Sequence, residues 1–199
     1  MQLKKKIRNV LRSVLQKTAP ASLKSKLWDK EFAGGHWDYI NNTPGDCVYP
    51  FIEKYCRGGS ILDLGCGSGN TGNELNFEKY GNYTGIDVSG VAVQMAASRS
   101  RNNGRAPKNE YFQSDIIDYA SSKPNDVILF RESIMYVPNG KIKKMLDGYR
   151  QHLKPGGVFI VRMCDREKYA DIRQIIKDNY QVVEEYLPEE VTTTILVFR

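Results

Sequence analysis

The run Ser60-Ile61-Leu62-Asp63-Leu64-Gly65-Cys66-Gly67-Ser68-Gly69-Asn70-Thr71-Gly72 joins a short apolar strand, a glycine-rich turn and a helix start. Glycine has no Cβ and tolerates positive φ, so such a turn lets backbone N–H groups approach a ligand closely. Two spacings fit. Gly67, Gly69 and Gly72 match G-x-G-x-x-G, the dinucleotide pattern, while Gly65, Gly67 and Gly69 match G-x-G-x-G. The acid Asp63 inside the strand and the strand-proximal Gly65 favour the second. A further strand, Tyr83-Thr84-Gly85-Ile86-Asp87-Val88-Ser89, ends in a carboxylate well placed to take two ribose hydroxyls. Taken alone, Asp87 also reads as a helix N-terminal acid, since Ser89 is a natural cap for the next helix. His36 lies in an aromatic, glycine-rich stretch and is a candidate base.

These residues resemble class I S-adenosyl-L-methionine-dependent methyltransferases, and the resemblance runs over residues 44–199. Asp63-Leu64-Gly65-Cys66-Gly67-Ser68-Gly69 looks like that family's signature loop. Asp87 resembles the acid closing its second strand. Gln113-Ser114-Asp115-Ile116 is similar to its third-strand motif, where an acidic side chain meets the adenine amine. Asp126-Val127-Ile128-Leu129-Phe130 resembles the fourth strand, and Leu153-Lys154-Pro155-Gly156-Gly157 the turn before the fifth. The resemblance implies S-adenosyl-L-methionine as cofactor and S-adenosyl-L-homocysteine as product. It implies cofactor contacts at Asp63, Gly65, Cys66, Gly67 and Gly69, then at Asp87 and Val88. Asp115, Ile116 and Arg131 follow at later strand ends, with Trp37 from an overlying segment. In this family the stretch after strand four faces the methyl group, which makes Glu132 and Tyr136 candidates for substrate orientation or proton acceptance.

The elements needed to position such residues can be read in order. A helix is expected over about 44–56, with Thr43 as cap and Pro44 in its first turn. Strands are expected at 61–64, 83–88, 110–114, 126–131 and 158–163. Helices are expected near 70–77, 89–102, 139–153 and 166–178. Two last segments, 181–187 and 191–198, resemble the antiparallel hairpin that closes the family's sheet. The implied fold is α/β: a Rossmann-like, mostly parallel seven-stranded sheet with helices on both faces and a C-terminal antiparallel hairpin. Ligands in such sheets bind beyond the carboxyl ends of the strands.

Composition agrees with one compact domain. The chain has 199 residues, 41% hydrophobic and 26% charged. A chain of this size buries roughly 70% of its unfolded surface. No apolar run approaches the roughly 20 residues that span a bilayer. Cys47, Cys56, Cys66 and Cys164 lack C-x-x-C spacing, and the two histidines are His36 and His152. Reduced thiols, a cytoplasmic location and no metal site are therefore expected.

The net charge of +6 is unevenly placed. Residues 1–30 carry Lys4, Lys5, Lys6, Arg8, Arg12, Lys17, Lys24, Lys26 and Lys30 against Asp29 alone, so the remainder is slightly acidic. This argues against a nucleic-acid enzyme, whose basic residues would surround the active-site mouth. Leu3, Ile7, Val10, Leu11, Val14 and Leu15 form a helical apolar stripe that ends near Pro20. Three roles fit it: packing on the core with a solvated basic face, lying on an anionic membrane surface, or serving as a nucleic-acid arm. Charges interrupt its apolar residues, so no signal-peptide core is expected. Residues 1–42 read as this helix plus an aromatic cap, and 43–199 as the catalytic domain. In the cap, Trp37 and Tyr39 either line a pocket or anchor the segment to the core.

Absences narrow the acceptor. There is no Asn/Asp-Pro-Pro-Tyr/Phe motif, residues 131–134 being Arg-Glu-Ser-Ile, and no Pro-Cys pair. Little chain separates the fifth strand from the next helix. The leading expectation is methyl transfer to an O or N of a small molecule, such as a sugar or secondary metabolite. The alternatives are a membrane-surface methyltransferase for a lipid or lipid-linked glycan, and a NAD- or S-adenosylmethionine-binding protein without methyl transfer.

Overall fold

The computed structural model describes residues 11–38 and 43–199. Leu3, Ile7, Val10 and Tyr39 lie outside them. Residues 11–18 are helical. Pro20 then opens α1 (Ala21–Ala33), a helix that extends well into the stretch read as an aromatic cap. Proline is tolerated at a helix start because its missing N–H would lack an intrahelical partner there.

The expected helix over 44–56 is shorter. Residues 43–48 form a turn and α2 spans Tyr49–Cys56, with Pro50 in its first turn. Thr43 does not cap it. Its N–H and Oγ–H donate to Glu74, and its Oγ accepts from Arg131, so tertiary partners displace the local cap.

The core follows in alternation: β1 (Ser60–Leu64), α3 (Asn70–Glu74), β2 (Asn82–Asp87), α4 (Gly90–Asn102), β3 (Asn109–Gln113), β4 (Asn125–Arg131) and α5 (Asn139–Arg150). After β5 (Leu153–Met163) come α6 (Ala170–Asn179), β6 (Val182–Tyr186) and β7 (Thr194–Phe198). Helix α3 stops early, and a 3-10 turn at Phe77–Lys79 takes over. Ser89 caps α4, accepting the Ala92 N–H at 3.1 Å, as its position before the apolar run predicts.

The seven strands form one sheet in the order β3-β2-β1-β4-β5-β7-β6. β1 to β5 are parallel; β7 runs antiparallel to both β5 and β6. Both faces are covered, and the period of two divides each central strand between two cores. Ile128 and Phe130 of β4 join Leu146, Ile172 and Phe198 on one face, while Val127 and Leu129 join Ile52, Leu75 and Val197 on the other. The order reverses at β1, between β2 and β4. That is the switch point beyond whose carboxyl end α/β sheets bind ligands.

Candidate functional site

A cavity of about 500 Å³ opens at that point. One side is built from strand ends. At the end of β1, Gly65 has φ +87, and a Cβ there would run into Ser133. The turn is fixed from behind, because Gly65 and Cys66 both donate their N–H to the Ile86 carbonyl, at 2.8 and 2.9 Å. Gly67 N–H donates to Asp87 Oδ2 at 2.9 Å, and Ser89 N–H to Asp87 Oδ1 at 2.8 Å. The loop and the acid at the end of β2 therefore hold each other.

Three carboxylates line the cavity from successive parallel strands or the loops that follow them. Asp63 in β1 accepts the Tyr83 hydroxyl at 2.5 Å on Oδ2, while its buried Oδ1 makes no hydrogen bond among the described residues. Burial raises the pKa of Asp63 to about 6, against the Tyr83 hydrogen bond and the charge of Arg131, which lower it. Burial does the same for Asp87, again to about 6, while the N–H groups of Ser89 and Gly67 pull it down. Asp115, just after β3, takes the Ile117 N–H on Oδ1 and an ion pair from Lys24 on Oδ2 at 2.6 Å.

Arg131 and Glu132 continue the wall at the end of β4. Arg131 pairs with Asp46 at 2.6 Å and lies 5.4 Å from the Tyr49 ring centroid. Burial pushes Asp46 up, but Arg131 and Arg162 outweigh it and leave its pKa below the usual carboxylate range. Glu132 holds φ +56, rare for a residue with a Cβ, and its carboxylate pairs with Arg162. Backbone strain of this kind costs about 1–3 kcal/mol and concentrates at functional sites.

The opposite wall is the cap. From α1, Lys24, Trp28 and Phe32 reach in, and Trp37 follows. The Trp28 ring meets Tyr136 edge-on at 4.9 Å and lies 5.7 Å from Trp37. Glu31 ties the cap together by accepting from Arg12 at 2.5 Å, Trp37 Nε1 at 3.1 Å and Gln16 at 3.3 Å. Asp29 fastens it to the sheet domain, accepting from Ser89 Oγ at 2.6 Å and Val91 N–H at 3.1 Å.

The cavity thus brings together Asp63, Gly65, Cys66, Gly67, Asp87, Val88, Asp115, Ile116, Arg131, Glu132, Tyr136 and Trp37. Two residues singled out in the sequence are not among them. Gly69 instead begins α3 in a left-handed conformation and packs on Ala96. His36 is exposed and lies edge-on to Trp37, outside the cavity wall. Lys24, Trp28, Phe32, Asp46 and Arg162 were not foreseen. Trp28 and Phe32 stand four apart in a helix, a spacing that could have been found; Lys24 meets an acid far along the chain and leaves no local trace.

Five carboxylates (Asp46, Asp63, Asp87, Asp115 and Glu132) face three cations (Lys24, Arg131 and Arg162) across this space. A cavity with that balance favours a cationic guest. Burial raises the Tyr136 phenol above its ordinary value, so at neutral pH it stays protonated and can donate a hydrogen bond. Burial, then Glu132, push the Cys164 thiol up to about 11. No group of three or more His, Cys, Asp or Glu side chains converges as a metal site among the described residues.

Comparison with known proteins places these features. The ubiquinone biosynthesis O-methyltransferase of Rickettsia canadensis is 34% identical over 156 residues, which cover 77% of this chain and 64% of that protein. The chain therefore spans less than two thirds of that relative's length. The trans-aconitate 2-methyltransferase of an Azoarcus species is 28% identical, covering 52% of this chain and 38% of that protein. Among solved structures, an S-adenosylmethionine-dependent methyltransferase from Clostridium acetobutylicum shares the fold at TM-score 0.66 and 17% identity, covering 85% of this chain and 98% of that one. The N-methyltransferase NodS of Bradyrhizobium japonicum, solved with S-adenosyl-L-homocysteine, gives TM-score 0.68 at 17% identity, with 88% and 97% covered. Residues 57–195 match the methyltransferase domain, well over half the sequence, and the chain belongs to that family.

Proposed function

We propose that this chain transfers a methyl group from S-adenosyl-L-methionine to an oxygen or nitrogen of a small molecule. The observation that carries this reading is the row of buried acids Asp63, Asp87 and Asp115 along successive parallel strands, facing an aromatic cap. The residues suit the cofactor. The unpartnered Oδ1 of Asp63 can take an ammonium N–H, Asp87 can take ribose hydroxyls, and Asp115 an adenine amine. When bound, the cofactor would supply an electrophilic methyl on a sulfonium, open to in-line attack by the acceptor with S-adenosyl-L-homocysteine as the leaving group.

The chain's own contribution is to bind, align and dry the site. Trp28 and Trp37 cover it, and exclusion of water strengthens every charge interaction beneath them. Holding two reactants in line accounts for much of such a rate enhancement. Tyr136 donates a hydrogen bond to the acceptor, and Glu132, oriented by Arg162, is the carboxylate that can accept its proton. The Rickettsia relative, named as an O-methyltransferase, favours oxygen over nitrogen.

The test has two parts. Calorimetry should show S-adenosyl-L-homocysteine binding at one site and no NAD binding. Methyl-tritiated S-adenosyl-L-methionine, incubated with a panel of phenols, sugars and amines, should then label an acceptor. NAD binding without S-adenosyl-L-homocysteine binding would rule the reading out.

A second reading concerns location. Leu11, Val14 and Leu15 are exposed at 58, 51 and 40%, so the described part of the apolar stripe is not packed on the core. Basic residues surround it, which supports peripheral attachment to an anionic membrane through residues 1–20. No described helix is long and apolar enough to cross a membrane.

A further inference from the structure

A second cavity, of about 310 Å³, adjoins the first and shares Gln16, Met135, Tyr136 and Tyr169 with it. The rest of its wall is Arg12, Ser13, Lys17 and Lys168. Its charge is opposite to that of its neighbour: three cations line it and no carboxylate does.

These cations are only partly compensated. Arg12 pairs with Glu31 at 2.5 Å, yet its Nε–H is buried without an acceptor among the described residues. Lys168 lies 5.0 Å from the Tyr169 ring centroid; nearby Asp165 takes the Lys168 backbone N–H rather than an ion pair. Lys17 has no ion pair among the described residues, and residues 1–10 and 39–42 contain no acid to supply one. Cations that converge on one concavity with fewer acids than charges attract an oxyanion, and Arg and Lys bind carboxylate or phosphate through charge-assisted hydrogen bonds.

Tyr136 belongs to both cavities. A ligand bridging them would offer its nucleophile beside Tyr136 and hold its charge at the cations. We propose that the second cavity binds an oxyanion, carboxylate or phosphate, carried by the methyl acceptor, with Arg12, Lys17 and Lys168 as its ligands. The identity of the carrier rests on the methyl-transfer reading above; the oxyanion site itself does not.

The full chain, labelled with ¹⁵N, is titrated with inorganic phosphate at constant ionic strength. Saturable shifts are expected at the amides of Lys17, Lys168 and Tyr169. In the double variant Lys17→Gln/Lys168→Gln the affinity should fall at least about tenfold, with the unfolding midpoint and S-adenosyl-L-homocysteine affinity unchanged. Should the double variant not fold, Lys17→Gln alone carries the comparison. Phenyl phosphate, whose ring reaches from the anion towards the first cavity, should bind more tightly than phosphate and also shift Met135 and Tyr136. Linear shifts, or equal affinity in the variant, would overturn the oxyanion site. Phenyl phosphate that leaves Met135 and Tyr136 unmoved would overturn its link to the acceptor. Vesicles of phosphatidylglycerol that perturb these amides where phosphate does not would assign the cations to a lipid surface instead. Loss of S-adenosyl-L-homocysteine binding in the wild type would remove the methyl-transfer reading while leaving the phosphate titration to stand by itself.

Discussion

Asp87 carries two jobs on one carboxylate. It fastens the glycine loop through Gly67 N–H, and it faces the cavity where ribose hydroxyls are expected. Asp87→Ala should weaken S-adenosyl-L-homocysteine by about 1.5–3 kcal/mol, or roughly ten- to a hundredfold in calorimetry. Asp87→Asn keeps the shape and separates charge from loop support. Proton uptake should have a related effect. Burial sets Asp63 and Asp87 near pKa 6, and the ligand favours the ionised forms, so protons compete with it. Affinity should drop as pH falls through that value, by about tenfold per carboxylate between roughly pH 7 and 5. A flat profile would show that neither acid touches the ligand. Glu132→Gln and Tyr136→Phe sit on the acceptor side. Both should lower kcat while S-adenosyl-L-homocysteine affinity stays within about twofold. Lost cofactor binding in either variant would move that residue to the other half of the site.

Helices and strands differed in how far they could be read. The strands were legible to within a residue or two at most ends, because Ile61-Leu62, Val127 to Phe130 and Phe159 to Val161 are apolar on both faces. Only a doubly covered sheet demands that. The glycine loop and Asp87 were legible for a different reason: a tight turn and a strand end leave local marks. Helix α1 was not. Its apolar residues are few and its charges many, because it buries Phe32 and Lys24 against a site rather than a stripe against a core. Thr43 was misread as a cap because Glu74 and Arg131, which take its hydrogen bonds, are distant in sequence. The exposed leucines of residues 11–23 yield a prediction at this scale. Removing residues 1–20 should abolish sedimentation with anionic vesicles and leave the sheet domain folded by circular dichroism. Unaltered sedimentation would exclude the helix as the attachment, and unfolding would show that it serves as a structural brace through Arg12 and Gln16.

Across the whole molecule, charge is sorted by location. The basic excess belongs to the first 30 residues, and the remainder is slightly acidic. The cap joins the two and is held to the sheet domain by Asp29 and by the Lys24–Asp115 pair. A buried ion pair adds little net stability but is costly to break one-sidedly, so Lys24→Met should loosen the cap while leaving the sheet's unfolding transition in place. The cap also concentrates an optical property. The chain has two tryptophans, Trp28 and Trp37, and both sit there, 5.7 Å apart. Every photon of intrinsic indole emission therefore originates in the segment that covers the cavity. Steady-state emission should change in intensity or wavelength on mixing with S-adenosyl-L-homocysteine, without any added dye. Stopped-flow traces of the same signal would time the response of the cap to binding directly, and a silent signal in the presence of calorimetrically confirmed binding would show that ligand enters without disturbing it.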